Sequence, residues 1–420
     1  MLAQVTSALA LLLAASSVVA KPVTVKDSPV TMSFARRMNV TGGADILKMD
    51  RARATSLKVR SSTHGAKTKD ELMKNAVGAA FGVPSTNQGV SYVVEVVIGT
   101  PPTTYDMLVD TGSSNTWICC EIDYFPSNTS FDTGNSVYVE YGSGVMLGEQ
   151  YLDVVHIAPG FTITNQSLGV ALIAEGFDGV DGLLGLGPQY LTYGNLFPDA
   201  TTYVPTVVDN LYDQGVIPKP FIGISFQPTT VMNTTNGEIT FGQVDQTKIQ
   251  GQINYVPITE TLPSAYYVGI NQTITYGNHK TMVLNNTAGI TDTGTTLLLL
   301  ASDALATYQS LTGAVLDSDV GLLKLTPAQF ANLQSLWFTI GDDTYEFTAD
   351  AQIWPRTLNT AIGGTSDFVY LIVSDIGSDG GTGMDFINGM MFLERFYTAY
   401  DTLGNQFGIA RTAETFVSVN

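Results

Sequence analysis

Leu108-Val109-Asp110-Thr111-Gly112-Ser113-Ser114 and Gly289-Ile290-Thr291-Asp292-Thr293-Gly294-Thr295-Thr296 are two versions of one phrase. Each reads as an apolar strand that runs into Asp-Thr-Gly and then two hydroxyl residues. Each is also followed at a distance by an apolar step ending in Gly. Leu183-Leu184-Gly185 closes 75 residues after Asp110, and Phe386-Ile387-Asn388-Gly389 closes 97 residues after Asp292. One Asp-Thr-Gly is an ordinary turn. Two copies in matching surroundings predict a mostly β chain of two similar lobes, each contributing one Asp.

The chemistry of such a pair follows from burial. A carboxylate at the end of a buried strand is costly to ionise. Backbone N–H groups beyond the Gly, and a Ser or Thr hydroxyl two or three residues on, can hold it ionised. Two such groups brought face to face repel, so they share one proton. One can then activate a water as general base while the other donates a hydrogen bond to a carbonyl. Acyl hydrolysis needs that division of labour.

The rest of the chain supports a β-rich body. Tyr92 to Ile98 is apolar and β-branched and closes at Gly99-Thr100-Pro101-Pro102. Val137 to Tyr141 reads as a strand entering a Tyr141-Gly142-Ser143-Gly144 hairpin turn. Helical patterns are few: Pro205 to Gln214, and Ser302 to Leu311 with Ser302-Asp303 as the N-cap. Cys119 and Cys120 are the two cysteines, and being adjacent they are expected as reduced thiols. No Cys-x-x-Cys spacing and only three His argue against a structural metal.

The 420 residues carry a net charge of -19, which argues against nucleic acid as a partner. That charge is divided unevenly. Between Lys21 and Lys74 lie 12 basic and 5 acidic residues, a balance of +7. From Ala79 onward 7 basic residues face 33 acidic ones, a balance of -26. Before the basic segment, residues 1–20 read as a secretory signal, with an apolar core from Ala8 to Ala15 and small residues at Val18-Val19-Ala20. No stretch is long enough to span a membrane. Six N-x-S/T sequons, at Asn39, Asn128, Asn165, Asn233, Asn271 and Asn285, fit a secreted route, with an extracellular fate expected over a vacuolar one. Within the basic segment Lys67 to Val77 is the best helical stretch, and Ala79-Ala80-Phe81-Gly82-Val83-Pro84 reads as a linker.

From Tyr92 onward the chain resembles the pepsin-like aspartic proteases. Within them it is most similar to the polyporopepsin-type secreted basidiomycete enzymes. The motifs that carry this are Val-Asp-Thr-Gly-Ser-Ser-Asn at 109–115, Tyr-Gly-Ser-Gly at 141–144, Phe-Asp-Gly-Val-Asp-Gly-Leu-Leu-Gly-Leu-Gly at 177–187, and Asp-Thr-Gly-Thr-Thr at 292–296. The resemblance implies a bilobal fold and an acid-pH endopeptidase with Asp110 and Asp292 as the catalytic dyad. It implies that Thr111 and Thr293 lock the two loops together, while Gly112, Ser113, Gly294 and Thr295 orient the carboxylates. Tyr141, with Gly142 and Ser143, would form a flap over the substrate, hydrogen-bonded from Trp117.

It further implies a plan of signal (1–20), basic activation propeptide (21–78), N-terminal lobe (79–232) and C-terminal lobe (233–420). The propeptide would fill the cleft and set one Lys on the dyad, with Lys67, Lys69 and Lys74 as candidates. The expected partners are protein and peptide substrates and the chain's own propeptide. The enzyme is expected to act as a monomer, without cofactor, metal or membrane. Ser143 leaves the flap uncharged, so bulky apolar or aromatic residues are expected on both sides of the scissile bond. Polar Asn388 departs from the family's apolar middle position, and Thr291 from its apolar residue before the second Asp. A catalytically silent peptide-binding relative is the alternative reading, and a glycosidase with two carboxylates is a third.

Overall fold

Strands are the main regular structure of the chain, which is seen in a computed structural model that describes residues 29–38, 42–60, 90–142, 144–278 and 281–420. In chain order the first are β1 (Val30–Met38), β2 (Val90–Ile98), β3 (Thr103–Asp110), β4 (Trp117–Ile118), β5 (Phe131–Glu140), β6 (Val145–Ala158), β7 (Phe161–Glu175), β8 (Gly182–Gly185) and β9 (Leu196–Phe197). They continue as β10 (Phe221–Phe226), β11 (Thr234–Phe241), β12 (Gln250–Pro257), β13 (Gly269–Tyr276), β14 (Thr281–Thr291), β15 (Leu298–Leu300), β16 (Val315–Leu316), β17 (Leu323–Leu325) and β18 (Leu336–Ile340). The last are β19 (Asp343–Phe347), β20 (Val369–Tyr370), β21 (Val373–Asp375), β22 (Phe386–Asn388), β23 (Phe396–Asp401) and β24 (Gln406–Arg411). The helices are α1 (Gly43–Arg60), α2 (Val207–Asp213), α3 (Ser302–Thr312), α4 (Pro327–Phe330) and α5 (Met390–Leu393). None of the described helices is long and apolar enough to cross a membrane.

Fourteen strands form one sheet in the order β12-β24-β23-β10-β11-β1-β2-β3-β8-β4-β7-β6-β5-β9, and β2 also pairs with β6. A second sheet runs β19-β18-β13-β14-β22-β15-β21. The duplicated phrase becomes a duplicated topology. β3 ends at Asp110 and pairs in parallel with β8, with Asp110 opposite Gly185. β14 leads to Asp292 and pairs in parallel with β22, with Thr291 opposite Asn388. In each half the strand after the Asp turns back antiparallel onto the same partner: β4 onto β8 and β15 onto β22. Both Asp residues therefore sit where two strands part, on the rims of two different sheets.

β1, from the basic segment, lies inside the large sheet. It pairs antiparallel with β11 on one side and with β2 on the other. Its alternating pattern explains this. Val30, Met32, Phe34 and Met38 are buried, and so is Arg36, which lies 3.8 Å from the buried Glu394 carboxylate. The segment is not a mere solvated linker; its strand belongs to the core.

Several expectations change here. Cys119 and Cys120 are joined as a vicinal disulfide, not reduced thiols. Beyond β4 the chain turns with Cys120 at φ 75°. α3 begins at Ser302, so Ala301, which has no capping side chain, stands at the N-cap, and the Ser302 hydroxyl donates to Asp375 instead. α2 forms within the expected stretch, started by a Thr206/Asp209 capping box. The basic segment is helical at Gly43–Arg60, whereas Lys67 to Val77 lies outside the described residues. The signal segment, the linker at 79–84 and Asn39 also lie outside them. The other five sequon asparagines are exposed.

Candidate active site

Asp110 and Asp292 are fully buried and face one another. Their surroundings match bond for bond. The Gly112 N–H donates to Asp110 Oδ1 at 2.9 Å and the Ser113 hydroxyl to Oδ2 at 2.5 Å. The Gly294 N–H donates to Asp292 Oδ1 at 3.0 Å and the Thr295 hydroxyl to Oδ2 at 2.6 Å. Each carboxylate thus has one backbone and one hydroxyl donor. The two glycines are needed for close approach. A Cβ at Gly112 would collide with Asp292 Oδ1, and one at Gly294 with Asp110 Oδ1.

The loops are tied across the junction by their threonines. The Thr111 N–H donates to Thr293 Oγ1 and the Thr293 N–H to Thr111 Oγ1, both at 3.0 Å. Thr293 Oγ1 donates onward to the Val109 carbonyl at 3.1 Å. Neither loop can shift without breaking bonds to the other.

Above the pair, β5 and β6 form the expected hairpin, closed by the Tyr141 N–H on the Gly144 carbonyl at 2.8 Å. Trp117 Nε1 donates to the Tyr141 hydroxyl at 2.7 Å. Phe177 packs edge-on against both rings, with centroids 4.7 and 5.1 Å away. The Tyr141 ring is thereby fixed over the dyad side of the hairpin. Ser143 lies outside the described residues.

The space between hairpin and dyad is filled by α1. Gly142 packs directly on the Arg53 backbone, where a Cβ would overlap it. The Arg53 guanidinium bridges the two carboxylates. Its Nε donates to Asp292 Oδ2 at 2.6 Å, and its Nη2 to Asp292 Oδ1 at 2.9 Å and to Asp110 Oδ1. Among the described residues the cation on the pair is Arg53, whereas the candidates Lys67, Lys69 and Lys74 lie outside the described residues. One turn earlier, Asp50 accepts the Thr296 N–H at 3.1 Å and the Leu297 N–H at 2.8 Å. Tyr267 holds the other end of α1, donating to the Leu57 carbonyl at 2.7 Å.

Burial raises the Asp50 carboxyl to about 7, more than its two backbone bonds can offset, and the Asp292 charge adds to the rise. Burial also pushes the Asp292 carboxyl up. The Arg53 charge, with hydrogen bonds from Arg53, Thr295 and Gly294, outweighs that and holds it below the ordinary range.

Sequence reasoning passed over Arg53 and Asp50. Their one signal was an Asp-x-x-Arg spacing inside a segment dense in charge. It also missed the partner of Asn388. Asn388 Nδ2 donates to Gln272 Oε1 at 2.9 Å and Gln272 Nε2 to Asn388 Oδ1 at 3.2 Å, both side chains fully buried. This amide pair straddles β14, and the Asn388 carbonyl accepts the Asp292 N–H at 3.2 Å. Thr291 turns its hydroxyl to the Val268 carbonyl. Among the described residues no group of three or more His, Cys, Asp or Glu could hold a metal ion.

Residues 91–412 match the family model for eukaryotic aspartyl protease. The chain is 57% identical over 342 residues to polyporopepsin of Irpex lacteus, covering 81% of this chain and all of that one. It is 26% identical over 361 residues to gastricsin of Cavia porcellus, covering 82% and 86%. The crystal structure of the aspartic proteinase from Irpex lacteus superposes with a TM-score of 0.76 at 56% identity. It covers 79% of this chain and 96% of that one.

Proposed function

Because the chain belongs to the eukaryotic aspartyl proteases, and is an aspartic endopeptidase of the polyporopepsin type with a bilobal β fold, we propose that Asp110 and Asp292 are its catalytic dyad and that this form is its zymogen. The observation that carries both readings is the Arg53 bridge, which sets one guanidinium across two matched, buried carboxylates.

With α1 gone, the two carboxylates share a proton and hold a water between them. The ionised one takes a proton from the water as its oxygen attacks the peptide carbonyl carbon. The protonated one donates to the carbonyl oxygen. As the tetrahedral species collapses, the carboxyl that took the water's proton gives it to the amide nitrogen, a hydroxyl of the diol returns its proton to the other carboxylate, and the C–N bond breaks. The Tyr141 hairpin, fastened at Trp117, closes over the peptide and excludes water. Apolar or aromatic residues flank the preferred bond, with broad specificity because apolar pockets discriminate by only about 1–3 kcal/mol per methylene. The lobes are taken as 79–232 and 233–420, and the segment at 21–78 as removed near Ala79. The enzyme is secreted and acts as a monomer.

The test is digestion of haemoglobin or casein at acid pH by the full chain after acid treatment. Activity blocked by a statine-type transition-state analogue, and lost in Asp292→Asn, is expected. A folded protein that sheds its basic segment yet digests nothing would be a silent peptide binder. Self-processing has its own check: the Asp110→Ala precursor should fail to mature without added protease.

A further inference from the structure

α1 sets a second arginine on the body. Arg51 Nε donates to the Asp375 main-chain carbonyl at 2.9 Å and Nη2 donates to Asp375 Oδ2 at 2.6 Å. One edge of the guanidinium thus meets two acceptors of one residue. The receptor is prepared from below by the body itself. The Ser302 hydroxyl donates to Asp375 Oδ1 at 2.7 Å, and the Gly377 N–H donates to the same oxygen at 2.8 Å. Oδ1 is occupied by the body, so Oδ2 and the carbonyl are the atoms presented to Arg51. Asp375 also ends a short strand held in register, opposite Leu300 of β15, so its position is fixed. None of these supports belongs to the pro-segment. Lys58 lies along the same rim, donating to the Ser378 hydroxyl at 2.6 Å.

We propose that Asp375 is a specificity-determining residue that, once α1 has left, receives an arginine of the substrate remote from the scissile bond. This rests on the proteolytic reading above. The substrates favoured are polypeptides with an apolar bond and an Arg a few residues away. Arg is favoured over Lys because two fixed acceptors match a planar fork, and an ammonium can use them only as a point charge. The distance follows from α1. Arg51 and Arg53 leave one helix two residues apart, so two extended side chains put Asp375 within about 20 Å of the dyad. An extended substrate advances about 3.3 Å per residue, so the Arg lies within about six residues of the bond.

The experiment uses the full chain activated by acid and a set of fluorogenic peptides sharing one apolar bond. A single Arg is stepped through each position on both sides and compared with citrulline, its uncharged isostere. At one position Arg should raise kcat/KM about 5- to 10-fold over citrulline at low salt, and less at high salt. Asp375→Asn should abolish that gain while cleaving the citrulline peptides normally, because its amide oxygen can still accept from Ser302 and Gly377. Equal cleavage of Arg and citrulline peptides at every position by the unaltered enzyme would overturn the proposal, and so would a preference that survives in Asp375→Asn. No cleavage of any peptide would instead remove the proteolytic reading on which it rests.

Discussion

Asn388 shows what a single residue can and cannot announce. Its polarity inside an apolar-apolar-Gly step is visible in the sequence, but its partner Gln272 lies 116 residues away and carries no mark of its own. Only the pairing of β13 and β22 on either side of β14 brings the two amides together. By contrast, the Asp110 and Asp292 loops were legible because the backbone and hydroxyl donors to each carboxylate lie within three residues of it, although Arg53 does not. The amide pair makes a sharp prediction. Asn388→Leu strands the buried Gln272 amide and should destabilise the fold by roughly 1–3 kcal/mol. Gln272→Leu should do the same to Asn388. The double variant removes both polar groups, so it should recover much of that loss instead of adding to it. Urea unfolding of the four proteins reads the coupling directly; simple additivity would mean that the pair carries no shared energy.

Among the elements, α1 was passed over by sequence, and the reason is physical. Its buried stripe is Gly43, Ile46, Leu47, Asp50, Ala54 and Leu57, with Arg53 beside it. Two of those side chains are charged because their destination is a pair of carboxylates and two open backbone N–H groups. Charged Asp50 and Arg53 interrupt the apolar period of the inner stripe, whereas α2 and α3 bury ordinary apolar stripes and were found. The same ionic face gives α1 its grip. Arg53→Ala leaves two buried carboxylates opposed without a counter-charge, a change that costs roughly 3–5 kcal/mol when one partner of a buried pair is removed. The full chain bearing it should cleave a fluorogenic peptide near neutral pH without acid treatment, where the unaltered chain stays silent. Arg53→Lys should fall between them, since it keeps the charge but not the fork. Equal latency in all three would show that β1 and the rest of α1 hold the segment unaided.

For the whole molecule, the +7 segment on a -26 body suggests a hold that loosens steadily as acid neutralises carboxylates. The two carboxylates beneath α1 give a different curve. Asp50 is raised by burial to about 7 in the docked state, against about 3.9 for a solvated Asp. A carboxyl whose docked pKa exceeds its free one stabilises docking fully below the free value, and that contribution is lost as pH rises to the docked value. Asp292 has the opposite sign: burial raises it, but Arg53 and its hydrogen bonds prevail and hold it low. Its contribution is present above the free carboxylate range and lost as pH falls through the lowered value. Together they place the tightest docking near about pH 4, with looser docking both towards neutrality and in stronger acid. Mild acidification should therefore tighten the pro-segment before strong acid frees it. Hydrogen exchange of the α1 amides, corrected for intrinsic rate, reads this directly. Protection should rise as pH is lowered from about 7.5 to about 4.5, and fall again below about 3.5. In Asp50→Asn the rise should vanish and the acid loss remain. Protection that fell steadily from about 7.5 downward in the unaltered chain would remove Asp50 from the account and return release to the overall charge.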